Sequence, residues 1–482
     1  MKRRLFERTA FAIAIFATGS GPALAETGFD SGSSGEDGAF TPTVDTALEL
    51  PEDGIFHFTN VVIPEGVTIR FDGNRQVTIL ASGDVDIAGT LDLSGSWSPP
   101  VGAAGDGNVG DDGLPGLGGP GGFDGGLGGE PADTREDRPG GAGIGPGGGG
   151  GGVYSFSRKR SGAGGSFATV GSSGSNVTPG QTYGSEVLLP LIGGSGGGGG
   201  FGGPAFHGSG GGGGGGAILI AANGTISVTG EILAVGGSSG DVAGSGIGAA
   251  GGGGSGGAIR LVADRITGNG TLQATGGIPG SSVDSGTTNP TRQGNGGDGR
   301  IRLEANVFER TAATAPDFSF GEPSVVFVPG LPGLRIDSVA GIPAPDFPTG
   351  RADIVLPEDT PDTVSVVFRT HGVPVGNTVS LRVTPASGEP ITVVSPALTG
   401  DMESATAQVE VALPDGPSTL LAETTYTIVD DGEEEFGALT GGEPVAHVRV
   451  RAGMDGRSDV TLITESGREV PVHGRLPAMP QS

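Results

Sequence analysis

Residues 208–240 read GSGGGGGGGAILIAANGTISVTGEILAVGGSSG, and residues 251–277 read GGGGSGGAIRLVADRITGNGTLQATGG. Each stretch is a glycine tract that runs into short segments in which apolar residues alternate with other residues. Ala217 aligns with Ala258 at a spacing of 41 residues, and after a one-residue deletion Ile226 aligns with Ile266. Self-similarity at a fixed period is typical of architectures in which stacked units share one core.

Two further copies of the unit lie on either side of these. Residues 77–96 (VTILASGDVDIAGTLDLSGS) match residues 218–237 at a constant offset of 141, and a partial copy (RIRLEANVF) begins at Arg300. We expect about three short strands per copy, with inward pairs Ile218/Ile220, Ile226/Val228 and Ile232/Ala234. Such a unit buries too little alone, so we predict a glycine-rich, parallel β-helix-like β-solenoid over 51–309 with an insertion at 97–216.

The glycine tracts allow two interpretations. The chain has 102 glycines, of which 72 lie between Trp97 and Arg300. They could be flexible linker. They could also be extended strands that pack together, because glycine permits close approach of two backbones. The sequence leaves both open.

The C-terminal part has an ordinary composition and its own strand pattern. A Pro-rich stretch (310–333) is expected to be a linker, and 334–482 is predicted to be an immunoglobulin-like antiparallel β-sandwich, which makes the whole chain all-β. The chain has no cysteine, so the sandwich lacks the usual disulfide. Eight runs carry the strand pattern: 334–339, 364–369, 378–383, 391–395, 405–413, 419–429, 445–452 and 460–463.

The first 25 residues predict export. A basic start (Lys2, Arg3, Arg4), an apolar stretch at 10–17 and Ala-Leu-Ala at 23–25 are typical of a cleaved secretory signal. We therefore expect a secreted, extracellular or cell-surface protein with a lead-in at 26–50. No later stretch has the roughly 18 consecutive apolar residues of a transmembrane segment.

The charge restricts the partners and suggests one cation. Without the signal the chain has 22 basic and 53 acidic residues, a net charge of −31, which argues against nucleic-acid binding. Two acidic runs could bind calcium weakly, although neither has the spacing of an EF-hand, and ordinary solvated loops are the alternative. No cofactor is expected to be required. The candidate ligands are Asp106, Asn108, Asp111 and Asp112 in the first run, and Asp430, Asp431 and Glu433 in the second.

No catalytic set is evident. Gly193, Ser195 and Gly197 spell a nucleophile elbow, but inside polyglycine the match is expected by chance. The histidines (57, 207, 371, 447 and 473) are far apart in sequence. Acids do not recur at the aligned outward positions, which are Asp84, Asp86 and Thr90, then Thr225, Ser227 and Glu231, then Arg265, Thr267 and Thr271.

A resemblance supports this organisation. GGSGGAIRL at residues 253–261, followed by LRIDSVAGIPAP at 334–345 and VPVGNTVSLRVTP at 373–385, resembles a group of exported glycine-rich bacterial proteins in which GGGSGGAIRL-type repeats precede a β-sandwich. No activity is established for that group. The resemblance implies export and architecture, and it transfers no functional residue.

Two function classes follow. The first is a secreted or cell-surface structural and adhesive protein, with the solenoid as a rigid spacer and the sandwich as a docking module. The second is a carbohydrate-active solenoid enzyme, a polysaccharide lyase or glycoside hydrolase. The first is favoured because the residues serve repeats and turns, and no enzyme activity is expected. Extracellular polysaccharide or another cell-surface component is the expected partner, and the oligomeric state is open.

Overall fold

The described part of the protein is all-β, and its strands form four sheets. The computed structural model describes residues 29–473 except 52, 102–112, 132–137, 155–159, 175, 205–206, 243–247, 283–292, 325, 327–330, 346–352, 386–389, 415, 429–435, 437–438, 441–442 and 453–457.

The largest sheet has eight strands that all pair in parallel. In spatial order they are β1 (Gly38–Phe40), β3 (Ile55–Ile63), β5 (Val77–Ala81), β8 (Ala217–Val228), β10 (Ala258–Thr267), β12 (Arg300–Phe308) and β13 (Ser319–Gly321), with β6 (Val85–Ile87) between β3 and β8.

A second parallel sheet is built from five shorter strands. In spatial order they are β11 (Thr271–Gln273), β9 (Glu231–Leu233), β7 (Thr90–Asp92), β4 (Thr68–Asp72) and β2 (Thr46–Glu49).

The pairing register equals the sequence repeat. The offset of 141 is the register between β5 and β8, and the spacing of 41 is the register at the start of β8 and β10. The one-residue deletion appears as a β-bulge between Ala263 and Arg265. Each strand therefore stacks on the equivalent strand of the next repeat, as in the pairs Val77–Ile218, Val85–Ile226, Ala217–Ala258, Ile226–Ile266 and Ile259–Ile301.

The expectation of three strands per copy is wrong for the second and third copies. There the first two predicted strands are one continuous strand, of 12 residues in β8 and 10 residues in β10. The ladder continues through the corner because Gly224 donates its N–H to the carbonyl of Gly83 (3.1 Å) and Thr225 donates to the Asp84 carboxylate (2.7 Å).

The interior between the two parallel sheets is apolar. All six predicted inward residues are buried there, from Ile218 to Ala234, and the equivalent residues of the neighbouring repeats pack beside them. At the N-terminal end the interior is aromatic: Phe58 stacks on both Phe40 (5.2 Å between ring centroids) and Phe56 (5.4 Å). Burial of each large apolar side chain contributes about 1.5–3 kcal/mol, and stacking distributes that gain along the repeats.

The glycine tracts are packed, which decides between the two interpretations. The backbone N–H groups of residues 211–216 donate to three neighbouring segments. Residues that are three positions apart donate to the same segment. This period matches the three residues per turn of a polyproline-II helix. Gly211 and Gly214 donate to Gly126 and Phe123 of the first segment. Gly212 and Gly215 donate to Gly252 and Ser255 of the second segment. Gly213 and Gly216 donate to Ser96 and Leu93 of the third segment.

The carbonyls of the same tract accept from three further segments. The carbonyls of Gly211 and Gly214 accept the N–H groups of residues 116 and 119. Those of Gly212 and Gly215 accept the N–H groups of residues 197 and 194, and that of Gly213 accepts the N–H of Gly237. One glycine strand thus has six hydrogen-bonded neighbours. We call the packed glycine-rich strands between residues 93 and 299 the glycine array.

The insertion covers the outer face of the large parallel sheet. Leu80, Leu219 and Val262 point away from the interior and pack with Phe167 and Leu188 of the insertion. The first half of the long strands is therefore buried on both faces.

Two antiparallel sheets make up the C-terminal part, and residues from both sheets form one apolar core. The first has the order β15 (Ile342–Pro343), β14 (Gly333–Val339), β16 (Thr363–His371), β20 (Ala405–Ala412) and β19 (Thr399–Gly400). The second has the order β18 (Ile391–Val394), β17 (Ser380–Pro385), β21 (Ser418–Thr427), β22 (Val445–Ala452), β23 (Ser458–Thr464) and β24 (Glu469–His473).

A single methyl group should test the glycine array. A Cβ at Gly212 would overlap the carbonyl group of Gly237, whereas a Cβ at Gly141 would come no closer than 3.0 Å to the backbone of Leu127. Overpacking typically costs about 1–3 kcal/mol and more when only backbone can move. We expect Gly212→Ala to lower the melting temperature of the parallel part by several degrees in calorimetry, and Gly141→Ala to lower it much less. Equal shifts for the two variants would contradict close packing around Gly212.

Candidate functional site

The outer face of the five-stranded parallel sheet carries polar side chains in two rows. Thr68, Thr90, Glu231 and Thr271 pair in register along the first row, and none of them is buried. The second row lies two residues further along each strand and contains the polar residues Arg70, Asp92 and Gln273, with the apolar Leu233 between the last two. Neighbouring strands are about 4.8 Å apart, so the rows form a regular grid of donors and acceptors.

Arg70 and Asp92 form an ion pair on this grid. Two guanidinium nitrogens of Arg70, Nε and Nη2, each lie 3.1 Å from Oδ2 of Asp92. The Arg70 side chain is 61% exposed and that of Asp92 is 22% exposed, so the pair contributes about 0–1 kcal/mol to stability. Its groups remain accessible to a ligand rich in hydroxyls.

The grid also corrects one expectation. The sequence showed no acids on adjacent turns, but Asp92 in β7 is the diagonal neighbour of Glu231 in β9, at about 8 Å between Cα positions from strand geometry. Asp92 was missed because it lies two residues beyond Thr90, the last position of the aligned outward set. Its alternation with buried Leu91 and Leu93 could have identified it.

The outward positions predicted on the larger sheet are confirmed as unburied, and two of their charged groups join neighbouring repeats. Asp84 accepts the N–H of Thr225 from the next repeat. Arg265 forms an ion pair with Glu309.

Ser195 is not an accessible nucleophile. It is fully buried, accepts the N–H of Gly147 (3.0 Å) and donates to the Tyr183 hydroxyl (2.9 Å). Tyr183 donates in turn to the carbonyl of Gly193 (2.6 Å). Burial raises the pKa of Tyr183 well above its ordinary value, because the opposing effects of the hydrogen bond with Ser195 and of the charge of Arg300 are smaller. These hydroxyls tie three segments of the insertion to one another.

The histidines occupy separate places. His57 is buried in β3 and accepts the N–H of Ser34 (3.1 Å), and His447 in β22 contacts Thr427. Burial lowers the pKa of His371, against a smaller opposing effect of a backbone hydrogen bond with Leu331. Across the part of the chain that the structure describes, no three His, Cys, Asp or Glu side chains are grouped to hold a metal ion.

The calcium candidates lie outside the described residues. These are Asp106, Asn108, Asp111 and Asp112, and Asp430, Asp431 and Glu433. Weak calcium binding therefore stays a prediction from the sequence.

Sequence reasoning missed a buried ionic cluster on the outer face of the large sheet. Glu304 accepts two hydrogen bonds from Arg260 (3.1 and 3.2 Å), and both side chains are at most 2% exposed. Arg302 and Ser324 complete the cluster, with Ser324 Oγ at 2.6 Å from Glu304. Burial alone would raise the pKa of Glu304, but the charge of Arg260 and the hydrogen bonds from Arg260 and Ser324 outweigh it, so the pKa is lowered.

Removing the Glu304 charge should destabilise the protein strongly. Glu304→Gln leaves the Arg260 charge buried without its counter-charge, which typically costs about 3–5 kcal/mol. Glu309→Gln, in the exposed pair with Arg265, is the matched control and should cost less than about 1 kcal/mol. Denaturant unfolding of the parallel part measures both. Similar losses would contradict a special role of burial.

The same cluster sets a pH dependence. Because the folded-state pKa of Glu304 lies below its unfolded value, the carboxylate stabilises the fold above its unfolded pKa, and this contribution is lost as the pH falls through the folded pKa. We expect the destabilisation caused by Glu304→Gln to shrink in acid, below about pH 4. A constant difference between wild type and variant from pH 7 to pH 3 would contradict this assignment.

Calcium should stabilise the chain without being needed for folding. At a free concentration about ten times Kd, one site adds about 1.4 kcal/mol, enough to raise a melting temperature by a degree or more. Melting in chelator, in millimolar calcium and in magnesium or sodium of matched ionic strength measures this. Equal midpoints, or a wholly unfolded protein in chelator, would contradict the prediction.

Comparison with known proteins gives little. No protein-family profile matches the chain, and no curated relative matches it. One solved structure, the cell-surface-expressed multi-modular chitinase ChiW from Paenibacillus sp. str. FPU-7, aligns over 81% of this chain at 8% identity with a TM-score of 0.13. The alignment spans 22% of that protein, and so low a TM-score supports no argument about fold or function. Within the described residues no helix has the length and apolarity that crossing a membrane requires.

Proposed function

We propose that this chain is an exported structural and adhesive protein of the cell surface or extracellular matrix. Residues 51–309, extended at the two ends of the parallel sheets by β1, β2 and β13, are a rigid parallel β-solenoid that acts as a spacer. Residues 334–482 are an immunoglobulin-like sandwich that acts as a docking module. The partner is extracellular polysaccharide.

The glycine array is the observation that carries this proposal. A strand with six hydrogen-bonded neighbours cannot move without breaking contacts on every side, so the array is stiff in all directions. Side chains that could have served catalysis, such as Ser195 and Asp84, hold segments together instead. A chain that uses its polar groups in this way is suited to bearing load and displaying surfaces.

The solenoid assignment is supported by the direction and spacing of the strands. All neighbours in both sheets of the repeat region run parallel, and successive repeats share one interior. A turn-on-turn path produces this arrangement. The sandwich assignment is supported by two antiparallel sheets with a common core, to which Val366 and Phe368 of β16 and Val448 and Val450 of β22 contribute.

The outer grid of the five-stranded sheet supports a polysaccharide partner. Arg70, Asp92, Thr90 and Glu231 present charged and hydroxyl donors and acceptors at regular spacing on a rigid surface. Hydroxyl groups of a sugar chain can hydrogen-bond to such groups, whereas a strongly anionic polymer would be repelled by the exported chain, whose net charge without the signal is −31.

One observation favours the alternative, a carbohydrate-active solenoid enzyme. Asp92 and Glu231 on adjacent turns give two carboxylates on one exposed face, the minimum for glycoside hydrolysis. Against this, Asp92 is paired with Arg70 and also accepts the N–H of Ser94 (3.2 Å), as a structural carboxylate does.

A joint binding and hydrolysis assay tests the proposal. Purified mature protein is incubated with insoluble neutral and acidic polysaccharides, and both the bound fraction and the release of reducing ends are measured. We expect retention on a neutral matrix without new reducing ends. Failure to bind any matrix would contradict the adhesive role. Turnover that is abolished by Asp92→Asn or Glu231→Gln would establish the enzyme instead.

A further inference from the structure

An exposed apolar patch lies on the outer layer of the glycine array. It consists of Trp97, Leu114, Leu117 and Leu127, whose exposed fractions are 76%, 43%, 58% and 57%. Trp97 is the single tryptophan of the chain. Large apolar side chains exposed together on a rigid surface commonly mark a binding site. We call these four residues the Trp97 patch.

Hydrogen bonds between strands show that the four residues lie on neighbouring segments. Ser96, next to Trp97, donates its N–H to the carbonyl of Leu117 (2.7 Å). Leu114 and Leu117 are three residues apart, one turn of a three-residue helix, so they project on one side at a separation of about 9 Å. Gly128, next to Leu127, donates to Gly113, next to Leu114 (2.7 Å).

The described stretches that carry the patch are rich in glycine and almost without charge. Glycine supplies many of the positions in 113–119 and 123–129, so few side chains rise beside the apolar groups. Within 93–98, 113–119 and 123–129, all of them described, the one charged residue is Asp124. Its carboxylate accepts the N–H of Gly118 (2.8 Å) and so belongs to the array.

We propose that the Trp97 patch binds the apolar faces of sugar rings in an extended, neutral polysaccharide. A flat indole offers a broad apolar surface to the C–H face of a ring, while its N–H can bond a hydroxyl. The proposal rests on the adhesive function above and names the surface and the ligand class. Leu117 and Leu114 continue the contact along the chain direction of the ligand.

Charge selects this occupant over others. A second copy of the exported chain would bring another net charge of −31 to the surface, and an anionic lipid surface would be repelled in the same way. Peripheral membrane binding also uses basic residues beside the apolar ones, and the three stretches that form the patch contain none. An uncharged polymer meets neither obstacle.

The single tryptophan makes the test direct. Cellohexaose is titrated into the mature protein while the emission of Trp97 and its quenching by acrylamide are recorded, and retention on microcrystalline cellulose is measured in parallel. We expect a blue shift, weaker quenching and retention. Trp97→Ala and Leu117→Ser should each reduce affinity for cellulose at least tenfold. Val170→Ala, at another exposed site (60%), is the matched control and should bind like wild type.

The outcomes separate this inference from the adhesive function. Retention of wild type that Trp97→Ala leaves unchanged would overturn the patch and leave adhesion by another surface standing. No retention of wild type on any polysaccharide would contradict both. A concentration-dependent dimer in sedimentation velocity that Trp97→Ala abolishes, without a spectral response to cellohexaose, would assign the patch to self-association and overturn the proposal. Unchanged melting temperatures confirm that each variant is folded.

Discussion

Contact between bare backbones is the constraint on which this structure depends. In the glycine array the strands approach so closely that a Cβ at many positions would lie inside a neighbouring carbonyl group. Residues 208–216, at the end of the insertion, contact segments from two flanking repeats and from the rest of the insertion at the same time. Hydrogen bonds therefore replace side-chain packing as the source of order, which offsets the large conformational entropy that glycine loses on folding.

The array also explains how the apolar parts are covered. The parallel strands enclose one apolar interior, but the first half of β5, β8 and β10 is apolar on its other face as well. The array holds the insertion against that face, where Phe167 and Leu188 bury it. A sheet that would otherwise expose a broad apolar surface is thereby shielded, and the acidic and hydroxyl side chains remain at the corners and on the smaller sheet.

Much of the fold could be predicted from the sequence, because local repetition fixes register. The offset of 141 and the inward pair Ile218/Ile220 needed only alternation and alignment. β24 was missed because Pro471 interrupts its pattern, which an edge strand tolerates. Whether the glycine tracts are packed or flexible could not be predicted from the sequence, because their packing depends on six neighbouring segments that are distant in sequence. The Arg260–Glu304 pair was missed because its residues are 44 positions apart and the alternation of apolar residues does not show that the outer face of the large sheet is covered. The unbroken apolar run AILIAA at 217–222 was the one sign of a strand buried on both faces.

The position of the insertion has a consequence for biosynthesis. β5 and β8 are adjacent in the sheet, but 141 residues separate Val77 from its partner Ile218. As a nascent chain elongates, β5 is complete long before β8 is made, and its open edge is a template for pairing with other chains. The edge of β5 therefore stays unpaired until the insertion has been synthesised and β8 follows it. The length of the insertion sets how long this edge stays open.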